Sequence, residues 1–191
     1  MTDSKAEHEP RGDQQQAQAP TSWWTIVWVL ASWVAIVMTW YAVHAQSQNA
    51  RKLLQTQIAV ELDKQFDSAE MRRVRRSLAA QLLAKNGEVS DYRVFDFFEK
   101  IAAYDAEGRI DDETVYGEFA YYTVRYWFAS QDTIKSYRKE EGEDAYYQRF
   151  EELADRIVRH EAEGHKRKAA DVIPSASQIE RFLRDEAALP D

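Results

Sequence analysis

The sequence predicts an all-α protein: one N-terminal transmembrane helix, an amphipathic stalk and a compact helical bundle. Three observations predict it. From Ser22 to Val43 no residue is charged, and only Ser22, Thr25, Ser32 and Thr39 are polar. Prolines stand only at positions 10, 20, 174 and 190, so the chain from Thr21 to Ile173 is free of this helix breaker. Beyond the apolar run, hydrophobic residues recur at helical spacing, and few stretches alternate as a strand would.

Residues 1–20 are rich in Gln, Ala, Glu and Asp, with DQQQAQAP near low complexity. Such a segment buries too little apolar area to offset chain entropy, which predicts a disordered tail. The span follows over residues 21–43, and as a helix its uncharged run rises about 33 Å, enough for a hydrocarbon core of roughly 30 Å. Trp23 and Trp24 at one end, with Trp40 and Tyr41 at the other, suit rings that anchor at membrane interfaces. A soluble core helix would show a polar face, and none exists here. Val43-His44-Ala45 has the small-residue spacing of a signal-peptidase site, but the run exceeds an h-region and no Lys or Arg immediately precedes it. The reading is therefore an uncleaved, single-pass anchor contacting the bilayer through residues 22–43. Arg51 and Lys52 after the span, with no acid before Glu61, place the larger C-terminal part in the cytoplasm by the positive-inside rule.

Residues 44–66 form the predicted stalk, where Leu54, Ile58, Leu62 and Phe66 recur every fourth position. The bundle is expected over residues 67–164. Asp67 and Glu70 have capping-box spacing ahead of a helix running to Asn86-Gly87, with Met71, Val74, Leu78 and Leu82 inward. A third helix follows Ser90-Asp91, carrying Val94, Phe98 and Ile101 on one face with Phe95 and Ala102 beside them. The fourth follows Asp111 and is apolar nearly all round: Val115, Phe119, Tyr122 and Tyr126 on one side, Tyr121, Val124 and Phe128 on the other. A separate short helix is expected around DTIKSYRKE, and a longer one uses Tyr146, Phe150, Leu153 and Ile157. Gly87, Gly108, Gly142 and Gly164 are the expected helix stops. Residues 165–191 read as a linker and a short amphipathic helix, capped by Ser175 and Gln178 and striped by Ile179, Phe182 and Leu183. The stripe itself does not say whether that helix docks on the bundle.

With 25 basic and 33 acidic residues, a net charge of −8, the chain repels nucleic acid and anionic surfaces except at a local patch. The absence of cysteine excludes disulfides, thiolate metal sites and cysteine nucleophiles. RHEAEGH fails as a metalloprotease box, because His160 and His165 are five apart and Gly164 intervenes. No Glu-x-x-His pair supports a di-metal bundle. Aligning Gly108 to the sixth position of a calcium loop puts Ala103 first and Thr114 twelfth, where carboxylates are required. No Walker loop, dinucleotide fingerprint or Gly-x-Ser-x-Gly elbow occurs, so no catalytic residue, metal or cofactor is assigned.

Two clusters carry what functional signal remains. Arg72, Arg73 and Arg76 project away from the inward stripe and are candidates for contact with an anionic surface or acidic partner. Arg75 lies within the stripe's border and must snorkel or pair with a carboxylate. Asp96, Glu99 and Glu118 are the candidates, and Arg125 completes a group that would be a buried ion pair or a site. Twelve of the 24 aromatic residues lie between Tyr92 and Phe128, which packing explains and which leaves an interface open.

The runs MRRVRRSLAAQLL, VFDFFEKIA and YGEFAYYTVRYWFA resemble a family of small bacterial proteins described only as a domain of unknown function. The resemblance covers roughly Leu53 to Ile157 and implies one N-terminal span, at the bacterial inner membrane, followed by a compact helical domain. It implies no catalytic residue, substrate or cofactor. The expectation is a membrane-anchored scaffold or regulator with a protein partner or a second copy of itself. A membrane-tethered enzyme using the Arg75 group is the alternative, and nucleic-acid binding is disfavoured.

Overall fold

The structure is a computed structural model that describes residues 23–84 and 89–190. The expected disordered tail, Ser22 of the span and the expected stop at Asn86-Gly87 lie outside the described residues. Among the described residues every element is helical and no strand occurs. The first helix, α1, runs Trp23–Phe66. The chain divides into two compact units, Met1–Gln48 and Asn49–Asp191.

In the first unit the helix exposes its large apolar side chains, Trp28 at 71 % and Trp33 at 63 %. Its polar side chains turn back on the backbone. Ser32 Oγ donates to the Trp28 carbonyl and Thr39 Oγ1 to the Ala35 carbonyl, both at 2.8 Å. Such bonds satisfy hydroxyls without water, a requirement of any helix in an apolar medium. By length and composition this helix is able to cross a membrane.

In the second unit, α2 (Ala69–Ala84), α3 (Arg93–Ala106), α5 (Ala120–Glu141), α6 (Gln148–Gly164) and α8 (Ala176–Ala187) pack with the end of α1. Two short pieces, α4 (Asp112–Thr114) and α7 (Ala169–Val172), lie between them. Of the expected stalk, Leu54 is exposed, whereas Leu62 and Phe66 are buried and belong to the bundle core. The α2 start is capped by Ser68 rather than by Asp67: the Met71 N–H donates to Ser68 Oγ at 3.1 Å. On α3, Val94, Phe95, Phe98, Ile101 and Ala102 are buried, and so is Phe97. Phe98 stacks on Phe150 of α6 with centroids 5.1 Å apart, and Trp127 meets the same ring edge-on at 5.4 Å.

Asp111 caps α4 by accepting from the Thr114 N–H at 2.8 Å, and Val115–Phe119 continue as a π-helical turn into α5. A π turn inserts one residue and advances the buried face. Beyond it Thr123, Val124, Tyr126, Trp127, Ser130 and Ile134 are buried, while Tyr121 is 51 % exposed. The separate helix expected at DTIKSYRKE does not exist, because α5 runs unbroken to Glu141. It ends at Gly142, whose φ of +68° is the left-handed cap that glycine adopts without strain. The start of α6 also departs from expectation: Tyr147, not Tyr146, enters the core, its backbone turning through φ +57°. The Ser175–Gln178 capping box forms as expected. From it α8 docks on α2 and α5 through Phe182 and Leu183, so the C-terminal helix is part of the bundle.

Candidate functional site

The apolar stripes of α2 and α8 each contain one charged residue, and the two meet. Arg75 is 2 % exposed and Glu186 5 % exposed. Arg75 Nε donates to Glu186 Oε2 at 2.8 Å and Nη2 to Oε1 at 2.7 Å, the bidentate fork that matches guanidinium to carboxylate. The remaining Arg75 nitrogen donates to the Phe66 carbonyl at 3.2 Å. The guanidinium lies 3.8 Å from the Phe66 ring centroid, which adds a cation–π contact. From α5, the fully buried Tyr126 hydroxyl donates to Glu186 Oε2. One carboxylate thus accepts from two helices while belonging to a third.

Burial opposes the charge on Arg75, but the bonds and charge of Glu186 outweigh it and hold the arginine above its ordinary value. Burial, and then the adjacent Glu186 charge, push the Tyr126 phenol well above its ordinary value. Both therefore keep the protonation states that the network needs at neutral pH. Neither cleft found beside α2 or α6 is lined by Arg75, Tyr126 or Glu186. The pair is buried, and its bonds tie α8 to α2.

The other residues expected beside Arg75 are elsewhere, and the group does not assemble. Asp96 is exposed and accepts from the Tyr147 hydroxyl at 3.1 Å. Glu99 accepts the Phe150 N–H at 2.8 Å, which gives the first turn of α6 the acceptor that Tyr147 at its start lacks. Glu118 is exposed. Arg125 is half-buried, stacks at 3.5 Å over the Tyr121 ring and donates to the Tyr121 carbonyl at 3.2 Å. The three α2 arginines are tied to backbone: Arg72 to the Asp67 carbonyl at 2.6 Å, Arg73 to Ala69 at 3.3 Å and Arg76 to Leu189 at 3.2 Å. At the ends of the apolar run Trp23, Trp24, Trp40 and Tyr41 are all exposed. His160 stacks on Tyr116 at 4.1 Å, and His165 Nδ1 faces the Glu161 carbonyl at 3.1 Å. Among the described residues no group of side chains is placed to hold a metal.

Glu186 is the partner that sequence spacing around Arg75 did not single out. Its signal was present, because Ile179, Phe182, Leu183 and Glu186 follow the i, i+3, i+4, i+7 pattern of one helical face. An acid on one apolar stripe and a base on another are complementary.

These features define an all-helical protein with an apolar N-terminal helix and a bundle pinned by a buried charge pair. The chain belongs to the DUF4760 family, a domain of unknown function, matched over residues 29–157. That match takes in most of the apolar helix and ends within α6, so α8 and Glu186 lie beyond it. No curated protein and no solved structure matches the chain.

Proposed function

We propose that this chain is a single-pass protein of a bacterial inner membrane whose cytoplasmic helical domain binds a protein partner, as a scaffold or regulator. The observation that carries the reading is the apolar stretch of α1, where Trp28, Leu30, Trp33, Val34, Met38 and Trp40 are each 60 % exposed or more. Exposing so many large apolar groups to water costs about 25 cal/mol per Å2, and a bilayer removes that cost. Arg51 and Lys52 favour the cytoplasmic side for the domain C-terminal to the span.

The sealed Arg75–Glu186 pair supports binding over catalysis, since its charges are spent on helix orientation. Exposed apolar side chains in the second unit support a partner: Leu53 and Val60, seven apart on α1, are 67 % and 47 % exposed. Anchoring confines the domain to a surface and raises its local concentration, so weak contacts suffice. The test is extraction and crosslinking of the full chain from its native membrane. The protein should resist alkaline extraction and crosslink reproducibly to one partner or to itself. Release by alkaline carbonate would refute the anchor, and recovery of uncrosslinked chain alone would refute the scaffold.

A further inference from the structure

The geometry points to a second, unrelated site: we propose that the cleft between α6 and α3 binds a phosphate-bearing ligand. Arg149, Glu152, Arg156 and Arg159 line it from α6, with Ala102 and Ala106 from α3, and it encloses about 360 Å3. That volume falls in the range of small-ligand sites, roughly 300–1,000 Å3. The two alanines supply no side chain beyond Cβ, and this leaves room beneath the arginines.

Of the α2 arginines, Arg72, Arg73 and Arg76 donate to backbone carbonyls. Arg156 is held by Asp105, whose side chain is only 3 % exposed, so a buried acid positions one guanidinium at the cleft. Arg149 and Arg159 have no carboxylate partner among the described residues. This holds although Glu152 and Asp155 are within helical reach by spacing. Glu152, the one acid of the cleft, accepts from Gln148 at 2.8 Å instead. In a chain with 33 acidic residues, two arginines left unpaired on one cleft are a local reversal of the overall charge.

Tyr116, from the π-helical turn, does not itself line the cleft. Burial raises its pKa; the charge of Arg156 acts to lower it, those of Asp112 and Asp105 to raise it further, and that of Arg159 to lower it. Its ring is held by stacking on His160. Planar guanidinium forks over a small apolar floor match the oxygens of a phosphate group. A soluble phosphate compound and an anionic lipid headgroup both carry that group.

The test uses the full chain in phosphatidylcholine nanodiscs, titrated calorimetrically with inorganic pyrophosphate, and in parallel sedimented with phosphatidylglycerol vesicles. Saturable pyrophosphate binding should weaken about tenfold or more in Arg149→Gln and in Arg159→Gln, the scale expected for losing a charge-assisted contact. Arg73→Gln should bind as wild type. Both tested side chains are exposed and unpaired, so the variants keep the wild-type urea midpoint. Vesicle retention that depends on Arg149 and Arg159, without pyrophosphate binding, would assign the phosphate to a lipid. Absence of both, or binding indifferent to the two variants, overturns the proposal.

Discussion

Glu186→Gln removes one charge from the centre of the bundle while keeping side-chain volume. Arg75 would lose one of two forked bonds, now 2.8 and 2.7 Å, and the charge that both depend on. The remaining partners are the Phe66 carbonyl at 3.2 Å and Asp67 at 3.7 Å, a carboxylate that is 69 % exposed and screened by water. Breaking a buried pair from one side costs about 3–5 kcal/mol, and the amide oxygen returns part of that. We expect a loss of about 3 kcal/mol, which at a urea slope of roughly 1–3 kcal/mol/M lowers the midpoint by about 1–3 M. Pulse proteolysis in urea of the full chain in detergent measures this, and hydrogen exchange should show α8 deprotected first. The double variant Arg75→Met with Glu186→Leu removes both charges and should recover to within about 1 kcal/mol of wild type. A Glu186→Gln midpoint within about 0.3 M of wild type, or a double variant no better than the single, would refute the argument that desolvated charge is the cost.

Further outcomes come from the same geometry. Tyr126 and Tyr147 both have folded pKa values raised above the ordinary 10.0. Their contribution is complete below pH 10 and is lost as the pH rises towards the folded values. Urea midpoints should therefore fall as the pH rises above 10, and Tyr126→Phe should flatten that decline; an unchanged slope would argue against burial of the phenol. Phe150→Ala, which removes a fully buried ring that touches Phe98 and Trp127, should cost about 3–5 kcal/mol by the same proteolysis assay. Gly142→Ala meets no atom within 4 Å of the added Cβ, so only the backbone at φ +68° is penalised, by about 1–2 kcal/mol. Ser175→Ala should cost about 1 kcal/mol and raise exchange at the α8 start.

Local signals carried well from sequence to structure. The Asp111 cap, the Ser175–Gln178 capping box and the Met71, Val74, Leu78 stripe each depend on successive residues no more than four positions apart. Interactions of that range form wherever the helix forms, so sequence alone determines them, along with the all-helical class. The π turn escaped because its extra residue has no spacing signature. Tyr146 and Tyr147 are chemically alike, and only the turn before α6 chooses between them. The Arg75 partner lies 111 residues away on a helix that the sequence left undocked. Asp96, Glu99 and Glu118 were nearer in the chain, but contact is decided by packing. Once α8 settles on α2 and α5, burial leaves Arg75 a single carboxylate at bonding distance in the core, and desolvation makes that pairing obligatory.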